Sequence, residues 1–243
     1  MSKVVIITGA SRGIGAATAK LLAKQNYRVC INYHKNKAAA EQLVNEIMSD
    51  NGEAIAICAD VCDEVQVQSM FNYVNAQFGT VTHLVNNAGV LFQQGSLTEI
   101  SLERFRTVLD INVIGVFNCA KAFINQKSDS GAIVNVSSAA AKTGSPFEYI
   151  DYAASKGAID SLTKGLAMEL AGQGIRVNAV RPGFIKTQMH ADGGEPNRVE
   201  RLAPKIPLKR GGTVLEVAEA IAWLLSEKSS YTTGTLLDIA GGK

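Results

Sequence analysis

Tyr152 and Lys156 are the residues whose types and spacing most directly suggest proton chemistry. They stand four positions apart in a predicted helix, so their side chains share one face of it. A tyrosine hydroxyl has a pKa of about 10 in water, too high for a base at neutral pH. A nearby ammonium group favours the phenolate, and Lys156 could supply that ammonium. Taken alone, the spacing is better explained by a contact at the protein surface. A catalytic role for the pair therefore depends on further motifs in the sequence.

The stretch TGASRGIG, residues 8–15, indicates a nucleotide site. It follows a short β-branched run that predicts a buried strand, and it opens a predicted helix. Its glycines, Gly9, Gly13 and Gly15, let the backbone turn tightly and approach a pyrophosphate, which the N–H groups at the helix start then face. We therefore predict a dinucleotide site. A tight turn that binds no ligand is the alternative.

The end of the second predicted strand, 27–33, bears on the choice of dinucleotide. An acidic side chain there binds the ribose 2′-hydroxyl of NAD, but this sequence has the neutral Asn32 and Tyr33. The nearby basic residues are Arg12 in the glycine loop and His34, Lys35 and Lys37 after the strand. This cluster favours the 2′-phosphate of NADP. The alternative is that Lys35 and Lys37 are solvated charges at a helix start.

Strands and helices alternate along the chain. The predicted strands are 4–7, 27–33, 54–58, 83–86, 132–136, 175–180 and 235–239. The predicted helices are 16–25, 38–49, 63–78, a run from 101 to 126, 152–171 and 213–225. This order predicts an α/β fold, a doubly wound parallel sheet with helices on both faces. No repeat or linker interrupts it, so we expect residues 1–243 to form one domain.

Polar residues follow several of the predicted strands, where open α/β sheets place their ligands. Asp60 and Val61 follow the third strand, and the run Asn86-Asn87-Ala88-Gly89 ends the fourth. Asn112 lies within an apolar helical run, so its amide either is satisfied structurally or serves a site. The polar connection after the sixth strand, 187–212, has the length expected of a substrate lid.

The composition argues against several classes of protein. A net charge of +2 and the lack of long basic runs speak against nucleic acid and anionic membrane surfaces. A strand follows the first residues directly and no apolar run reaches membrane-spanning length, so we expect neither a signal peptide nor a membrane anchor. The four cysteines include Cys58 and Cys62, but no paired histidines accompany them. We expect reduced thiols, no metal site and a cytoplasmic location.

These motifs together resemble the classical short-chain dehydrogenase/reductase family. The glycine loop, the run ending in Gly89, Ser138, the Tyr152/Lys156 pair and Pro182-Gly183 stand in that family's order over nearly the whole chain. The wider likeness is to bacterial 3-oxoacyl-carrier-protein reductases and glucose dehydrogenases. The resemblance implies a single Rossmann-type domain with about seven parallel strands, NAD or NADP as cofactor, and a homotetramer.

The resemblance also implies a catalytic tetrad of Asn112, Ser138, Tyr152 and Lys156. Tyr152 would exchange a proton with the substrate oxygen while hydride joins or leaves the nicotinamide. Ser138 would hold the carbonyl oxygen, Lys156 would bind the nicotinamide ribose and support Tyr152, and Asn112 would anchor a relaying water. Ser137 is an alternative serine, although the register after the strand favours Ser138. Tyr149 is not the catalytic tyrosine on this pattern, because Ala153 stands four residues later.

The sequence departs from the family pattern at one place. Thirteen residues separate Ser138 from Tyr152, one more than is common in the family, and we expect segment 143–151 to absorb the insertion. Thr187 matches the family position that binds the nicotinamide carboxamide. The residues predicted to bind the cofactor are Gly9, Ser11, Arg12, Gly13, Ile14, Gly15, Tyr33, His34, Asp60, Val61, Asn87, Ala88, Gly89, Tyr152, Lys156, Pro182, Gly183 and Thr187.

The resemblance therefore predicts an NADP-preferring oxidoreductase that interconverts a carbonyl and an alcohol on a small molecule. The alternative is a catalytically silent nucleotide-binding sensor or scaffold of the same fold, which the intact tetrad disfavours. A Rossmann methyltransferase is disfavoured for two reasons. It would need an acidic residue after the second strand, which this sequence lacks, and it would have no Tyr/Lys pair, which this sequence contains.

Overall fold

The computed structural model describes residues 3–126 and 130–243, in which seven strands form one parallel sheet. The strands are β1 Lys3–Ile7, β2 Tyr27–Tyr33, β3 Glu53–Cys58, β4 His83–Asn86, β5 Gly131–Val136, β6 Ile175–Pro182 and β7 Leu236–Ile239. Their order across the sheet is β3-β2-β1-β4-β5-β6-β7, with every neighbouring pair parallel. The predicted α/β fold is confirmed.

Helices cover both faces of this sheet. The main ones are α1 Gly13–Lys24, α2 Lys37–Ser49, α3 Glu64–Phe78, α4 Leu102–Leu109, α5 Gly115–Asn125, α7 Ile150–Leu170 and α10 Val214–Leu225, and the short ones are α6 Ala140–Thr143, α8 Met189–Asp192 and α9 Arg198–Leu202. Alternate residues of β1 point to opposite faces, as the pleat requires. Ile7 packs in one buried cluster with residues of α1, α2 and α10, and Ile6 packs in another with residues of α3, α5 and α7.

Three segments near the site differ from the sequence prediction. Segment 139–151, predicted as a loop, contains α6, and α7 begins two residues earlier than predicted. The strand β6 does not break at Arg181, because Arg181 and Pro182 continue the register with Asp238 and Ile239 of β7. Connection 187–212 contains α8 and α9. Periodicity could not reveal these features because the helices are only a turn long and the β6 extension depends on a neighbouring strand.

The region from α4 to α5 is one helical run, Leu102–Asn125, interrupted by a π-helical turn at Asp110–Ile114. This run is long and apolar enough to cross a membrane by length and composition alone, contrary to the expectation that no such run exists. Half of its most apolar window is buried inside the fold, a pattern that core helices of soluble proteins share. The run packs against α3 and α7, and it carries Asn112.

Candidate active site

The glycine loop is pressed against the segment that follows β4. Gly9 has a φ of +59°, and a Cβ there would come within 2.9 Å of the Ala88 Cα. A Cβ on Gly15 would lie 2.6 Å from Nδ2 of Asn87. These two positions therefore have no room for a side chain, and Gly9 also adopts a backbone conformation that glycine favours. The close approach leaves the start of α1, at Gly13, open at the carboxyl edge of the sheet.

Asn32 holds this loop in place. Its Oδ1 accepts a hydrogen bond from Gly9 N at 3.2 Å, and its Nδ2 donates to Ala59 O at 3.0 Å. Its own carbonyl accepts from Ala10 N at 2.9 Å. Asn32 is thus a buried residue whose hydrogen bonds connect β2 to the glycine loop and to the end of β3. The sequence identified Asn32 as a missing acid but did not reveal this structural role.

A first pocket of about 440 Å³ lies at this edge. It is lined by most of the predicted cofactor residues, namely Gly9, Ser11, Arg12, Gly13, Ile14, Tyr33, His34, Asp60, Val61, Asn87, Ala88, Gly89 and Thr187. Gly15 is not among the lining residues, since it packs behind the loop against Asn87. The pocket also contains Lys35 of the predicted basic cluster, and three residues that the sequence prediction missed, Val90, Ile111 and Met189. Val90 directly follows Gly89, so its place next to a motif was an available signal.

A second pocket, of about 390 Å³, adjoins the first one. The two share five lining residues, which are Ile14, Asn87, Gly89, Thr187 and Met189. Ser138, Tyr152, Lys156, Pro182 and Gly183 all line the second pocket. The structure therefore brings three predicted tetrad residues to a cavity continuous with the pocket at the glycine loop. The outer wall includes Leu91, Tyr149, Phe184, His190 and Arg198, none of which was predicted as a site residue.

Lys156 and Tyr152 lie together in this pocket. The Lys156 ammonium donates to Val136 O at 2.7 Å and lies 5.5 Å from the centroid of the Tyr152 ring. Burial lowers the pKa of Lys156 to about 8, while the charge of Asp160 acts in the opposite direction. Burial raises the pKa of Tyr152 to about 12, while a hydrogen bond with Ser138 opposes the rise. The sequence argument expected a lowered phenol pKa. The structure gives the opposite direction because desolvation outweighs the other effects.

The two serines after β5 have different surroundings. The Ser137 hydroxyl is buried and lies within hydrogen-bonding distance of the Asp160 carboxylate, at 2.6 Å, and of Lys156 O, at 3.2 Å. The Ser138 hydroxyl accepts from Ala140 N at 3.1 Å, and Ser138 lines the same pocket as Tyr152 and lowers the Tyr152 pKa against the effect of burial. The Ser137 hydroxyl is therefore engaged with Asp160, whereas Ser138 is the serine that acts on the Tyr152 hydroxyl. This geometry favours Ser138 over Ser137 as the residue that would hold a substrate oxygen.

Asn112 is fully buried in the π-helical turn. Its Oδ1 accepts from Val90 N at 2.8 Å, and its Nδ2 donates to Val90 O at 3.2 Å and to Ser155 Oγ at 3.0 Å. A Cβ on Gly89 would lie 3.3 Å from Asn112 Oδ1 and 3.6 Å from the Lys156 ammonium, so these side chains converge there. The amide clamps the segment after β4 and lies beside Lys156. The two roles left open by the sequence are thus compatible.

The segment between Ser138 and Tyr152 contains an irregular turn. Gly144, Ser145 and Phe147 all have positive φ, of +72°, +44° and +63°. Positive φ is uncommon outside glycine, so the backbone at 144–147 is unusual. This turn falls inside the segment predicted to absorb the additional residue. Tyr149, rejected from the sequence as the catalytic tyrosine, directs its hydroxyl to Gly193 O at 3.5 Å.

Two further expectations concerned metals and cysteines. In residues 3–126 and 130–243, no group of three or more His, Cys, Asp or Glu side chains could hold a metal ion. Cys58 and Cys62 are free thiols, as are the buried Cys30 and Cys119. Burial raises the pKa of Cys62 to about 12, so this thiol is protonated at neutral pH.

The chain is similar in sequence and fold to several known proteins. A family model described as enoyl-(acyl carrier protein) reductase matches residues 9–243. The uncharacterized oxidoreductase YgfF of Escherichia coli K12 is 52% identical over 245 residues, covering 99% of this chain and 99% of its own. The 3-oxoacyl-[acyl-carrier-protein] reductase FabG of Staphylococcus aureus Mu50 is 40% identical over 244 residues, covering 100% of this chain and 98% of its own. A blue fluorescent protein from a metagenomic library, solved in complex with NADPH, superimposes with a TM-score of 0.91 at 36% identity, covering 99% of this chain and 97% of its own.

Proposed function

Because this chain belongs to the short-chain dehydrogenase/reductase family and is an NAD(P)-dependent enzyme of that family, we propose that it interconverts a carbonyl and an alcohol on a small molecule, with a preference for NADP. The observation that carries the proposal is the junction of the two pockets. Ser138, Tyr152 and Lys156 line one of them, and the glycine loop lines the other. A reacting carbon at the junction would be within reach of both sets of residues.

The residues of the first pocket fit a dinucleotide. A Cβ on Gly9 would close the approach to Ala88, and α1 presents its amino end to the cavity. Gly9, Ser11 and Gly13 would hold the pyrophosphate, Asp60 and Val61 the adenosine end, and Thr187, Pro182 and Gly183 the nicotinamide. The cofactor would supply or accept hydride, and the protein's own groups would handle the proton and the substrate oxygen.

In the reducing direction, Tyr152 would donate its proton to the oxygen of the carbonyl. Its raised pKa keeps the phenol protonated at neutral pH, as a proton donor requires. Ser138 would hydrogen-bond the same oxygen, because it lines the second pocket together with Tyr152. Lys156 would hold a positive charge beside the phenol and stabilise the phenolate left behind. The phenolate would then regain its proton from the Lys156 ammonium, and Asn112 would place the backbone near Gly89 and a water that returns a proton to Lys156.

The preference for NADP rests on charge at the adenosine end of the first pocket. Arg12, His34 and Lys35 line that pocket. The Asn32 side chain near the end of β2 is neutral and is hydrogen-bonded to Gly9 N and Ala59 O. A 2′-phosphate would meet cationic groups and no carboxylate from β2. The related blue fluorescent protein was solved with NADPH, which supports the same choice.

The finer proposals concern organisation. We propose that residues 1–243 act as one domain, in which 187–212 forms a lid because Thr187, Met189, His190 and Arg198 line the second pocket. We propose a homotetramer, since Phe117 and Met168 leave apolar surface exposed on α5 and α7. The free cysteines support a cytoplasmic location.

The alternative is a silent nucleotide-binding protein, and one assay separates the two functions. Purified protein is tested with ketones, sugars and acyl thioesters, with NADPH and NADH as hydride donors and with the matching alcohols and oxidised cofactors. We expect turnover on at least one class, faster with NADPH, and loss of turnover in Tyr152→Phe. Binding of NADPH without turnover on any class would favour the silent protein.

A further inference from the structure

A chain of charged side chains extends from the candidate tetrad to the surface. Asp160 lies four residues after Lys156 on α7, and its carboxylate faces Arg181 of β6 at 3.3 Å. Arg181 also binds Asp238 of β7 at 2.6 Å, and Asp238 binds Lys142 of α6 at 2.9 Å. The Asp160 and Arg181 side chains are 16% and 15% exposed, whereas Asp238 and Lys142 are 34% and 48% exposed. Asp160 is thus the inner end of the network.

Asp160 is connected to the catalytic region in two ways. Its Oδ1 lies 2.6 Å from the Ser137 hydroxyl, which also lies 3.2 Å from Lys156 O. Ser137 directly precedes Ser138, so this bond fixes the turn that carries the candidate oxygen-binding serine. The second connection is charge, because Asp160 and Lys156 share one face of α7.

The other groups around the Lys156 ammonium do not replace that charge. They are the Val136 carbonyl from β5, the Tyr152 ring from α7 and the neutral Asn112 amide beside Gly89. The next charge outward is the cation Arg181, for which Asp160 is also a partner. Without the carboxylate, Arg181 would lose one of its two acidic partners, and Lys156 would lose the negative charge that opposes the effect of burial.

On the basis of the proposed function, we infer that Asp160 is a positioning residue of the tetrad. It fixes the turn at Ser137 and Ser138, and its negative charge holds Lys156 in the ammonium form. The carboxylate opposes the effect of burial on Lys156, whose pKa is about 8. Loss of the Asp160 charge therefore lowers the pKa of Lys156 further, and the ammonium form is lost at lower pH.

The test is the pH dependence of kcat/KM for carbonyl reduction. The alkaline limb is the part of this profile in which kcat/KM decreases as the pH rises. Asp160→Asn and Asp160→Ser remove the charge, and each should move the alkaline limb to lower pH by about one unit. Asp160→Glu keeps the charge and should keep the limb at the wild-type pH. Asp238→Asn is the matched control, because it removes the next carboxylate of the same network, beyond Arg181, and should leave the alkaline fall of kcat/KM at the wild-type pH. Circular dichroism establishes that each variant is folded.

A separate variant tests whether the Ser137–Asp160 hydrogen bond positions Ser138. Ser137→Ala removes the bond to Asp160 but leaves every charge, so it should lower kcat by up to about a hundredfold through misplacement of Ser138, while the alkaline fall of kcat/KM stays at the wild-type pH. The inference is wrong if the neutral variants keep the wild-type limb, or if Asp238→Asn shifts it equally. Lys156→Met and Tyr152→Phe separate this result from the proposed function. If those two variants remain active, the proposed function fails. If they are inactive while the limb of Asp160→Asn is unmoved, only the role of Asp160 fails.

Discussion

The guanidinium of Arg12 lies 2.6 Å from the carboxylate of Asp192, an ion pair between the glycine loop and the short helix α8. The two side chains are 58% and 40% exposed, so the pair contributes little to folding stability. The location of the pair is significant, because Arg12 lines the first pocket and Asp192 belongs to the proposed lid. A phosphate bound by Arg12 would compete with Asp192 for the same N–H donors.

Arg12→Ala should weaken the preference for NADP. A charge-assisted bond to phosphate contributes roughly 1.5–3 kcal/mol, so kcat/KM with NADPH should fall about ten- to a hundredfold, with a much smaller change with NADH. Asp192→Asn is the matched control, because it frees Arg12 and should keep or strengthen the preference. If wild type favours NADH, or if Arg12→Ala leaves the ratio of the two kcat/KM values unchanged, this role of Arg12 is wrong.

Tyr152→Phe should abolish turnover while NADPH still binds. The change removes one hydroxyl from the second pocket, and general acid–base catalysis contributes about 10²–10⁴ in rate. Cofactor binding, followed by fluorescence titration, should stay near the wild-type value because the first pocket is unaltered. Tyr149→Phe is the matched control, and it should retain most activity because its hydroxyl reaches only as far as Gly193 O and Gln94. Activity within about tenfold of wild type in Tyr152→Phe would contradict the assignment.

Arg104→Met should destabilise the protein strongly. Arg104 binds the carboxylate of Asp151 through two nitrogens, at 2.7 and 3.2 Å, and the Asp151 side chain is only 1% exposed. Removing one partner of a buried pair typically costs about 3–5 kcal/mol in the free energy of unfolding. The double variant Arg104→Met/Asp151→Asn should recover part of that loss, because it removes the unpaired charge.

Urea denaturation measures the effect of Arg104→Met. Lys37→Met provides the comparison, since it breaks the exposed pair with Glu41 and should cost less than about 1 kcal/mol. Equal losses in the two single variants would show that burial of the Arg104–Asp151 pair has no energetic consequence.

Acidification should reduce stability through His83. This side chain is buried, its ring packs edge-on against Tyr27 at 5.0 Å between centroids, and burial lowers its pKa to about 4. A histidine with a depressed pKa binds more protons when unfolded, so stability falls as the pH decreases from about 6.5 to 4. The expected loss is on the order of 3 kcal/mol, and His83→Gln should show a flatter dependence over this window. A wild-type free energy of unfolding that is constant between these pH values would exclude the effect.

Light scattering should give the mass of four chains at micromolar concentration. The α5 and α7 helices expose Phe117 and Met168, whose side chains are 49% and 85% accessible and could pack across a twofold axis. The variant Phe117→Glu/Met168→Glu should therefore shift the mass to smaller species while circular dichroism remains that of the folded protein. A stable wild-type monomer would refute the tetramer.

The sequence by itself determined the order and type of the main elements. The β2 and β4 strands have the predicted bounds, because buried parallel strands are short apolar runs between turn residues. The glycine loop and the Tyr152/Lys156 spacing were also evident, since a tight turn and a shared helix face depend on neighbouring residues alone. Periodicity is local, so it could not foresee the π-helical turn at Asn112 or the one-turn helices at Ala140–Thr143 and Met189–Asp192.

Only the tertiary structure decided which of these residues meet. Ser137 and Ser138 are neighbours in the sequence, yet one binds Asp160 and the other acts on the Tyr152 pKa, because α7 packs over the end of β5. Burial reversed the expected direction of the Tyr152 pKa, since desolvation depends on everything packed around the phenol. The partners of Arg12 and Asp160 lie on other elements of the fold. Such contacts follow from the order of the strands in the sheet and from the packing of helices against it, and no local sequence pattern encodes either.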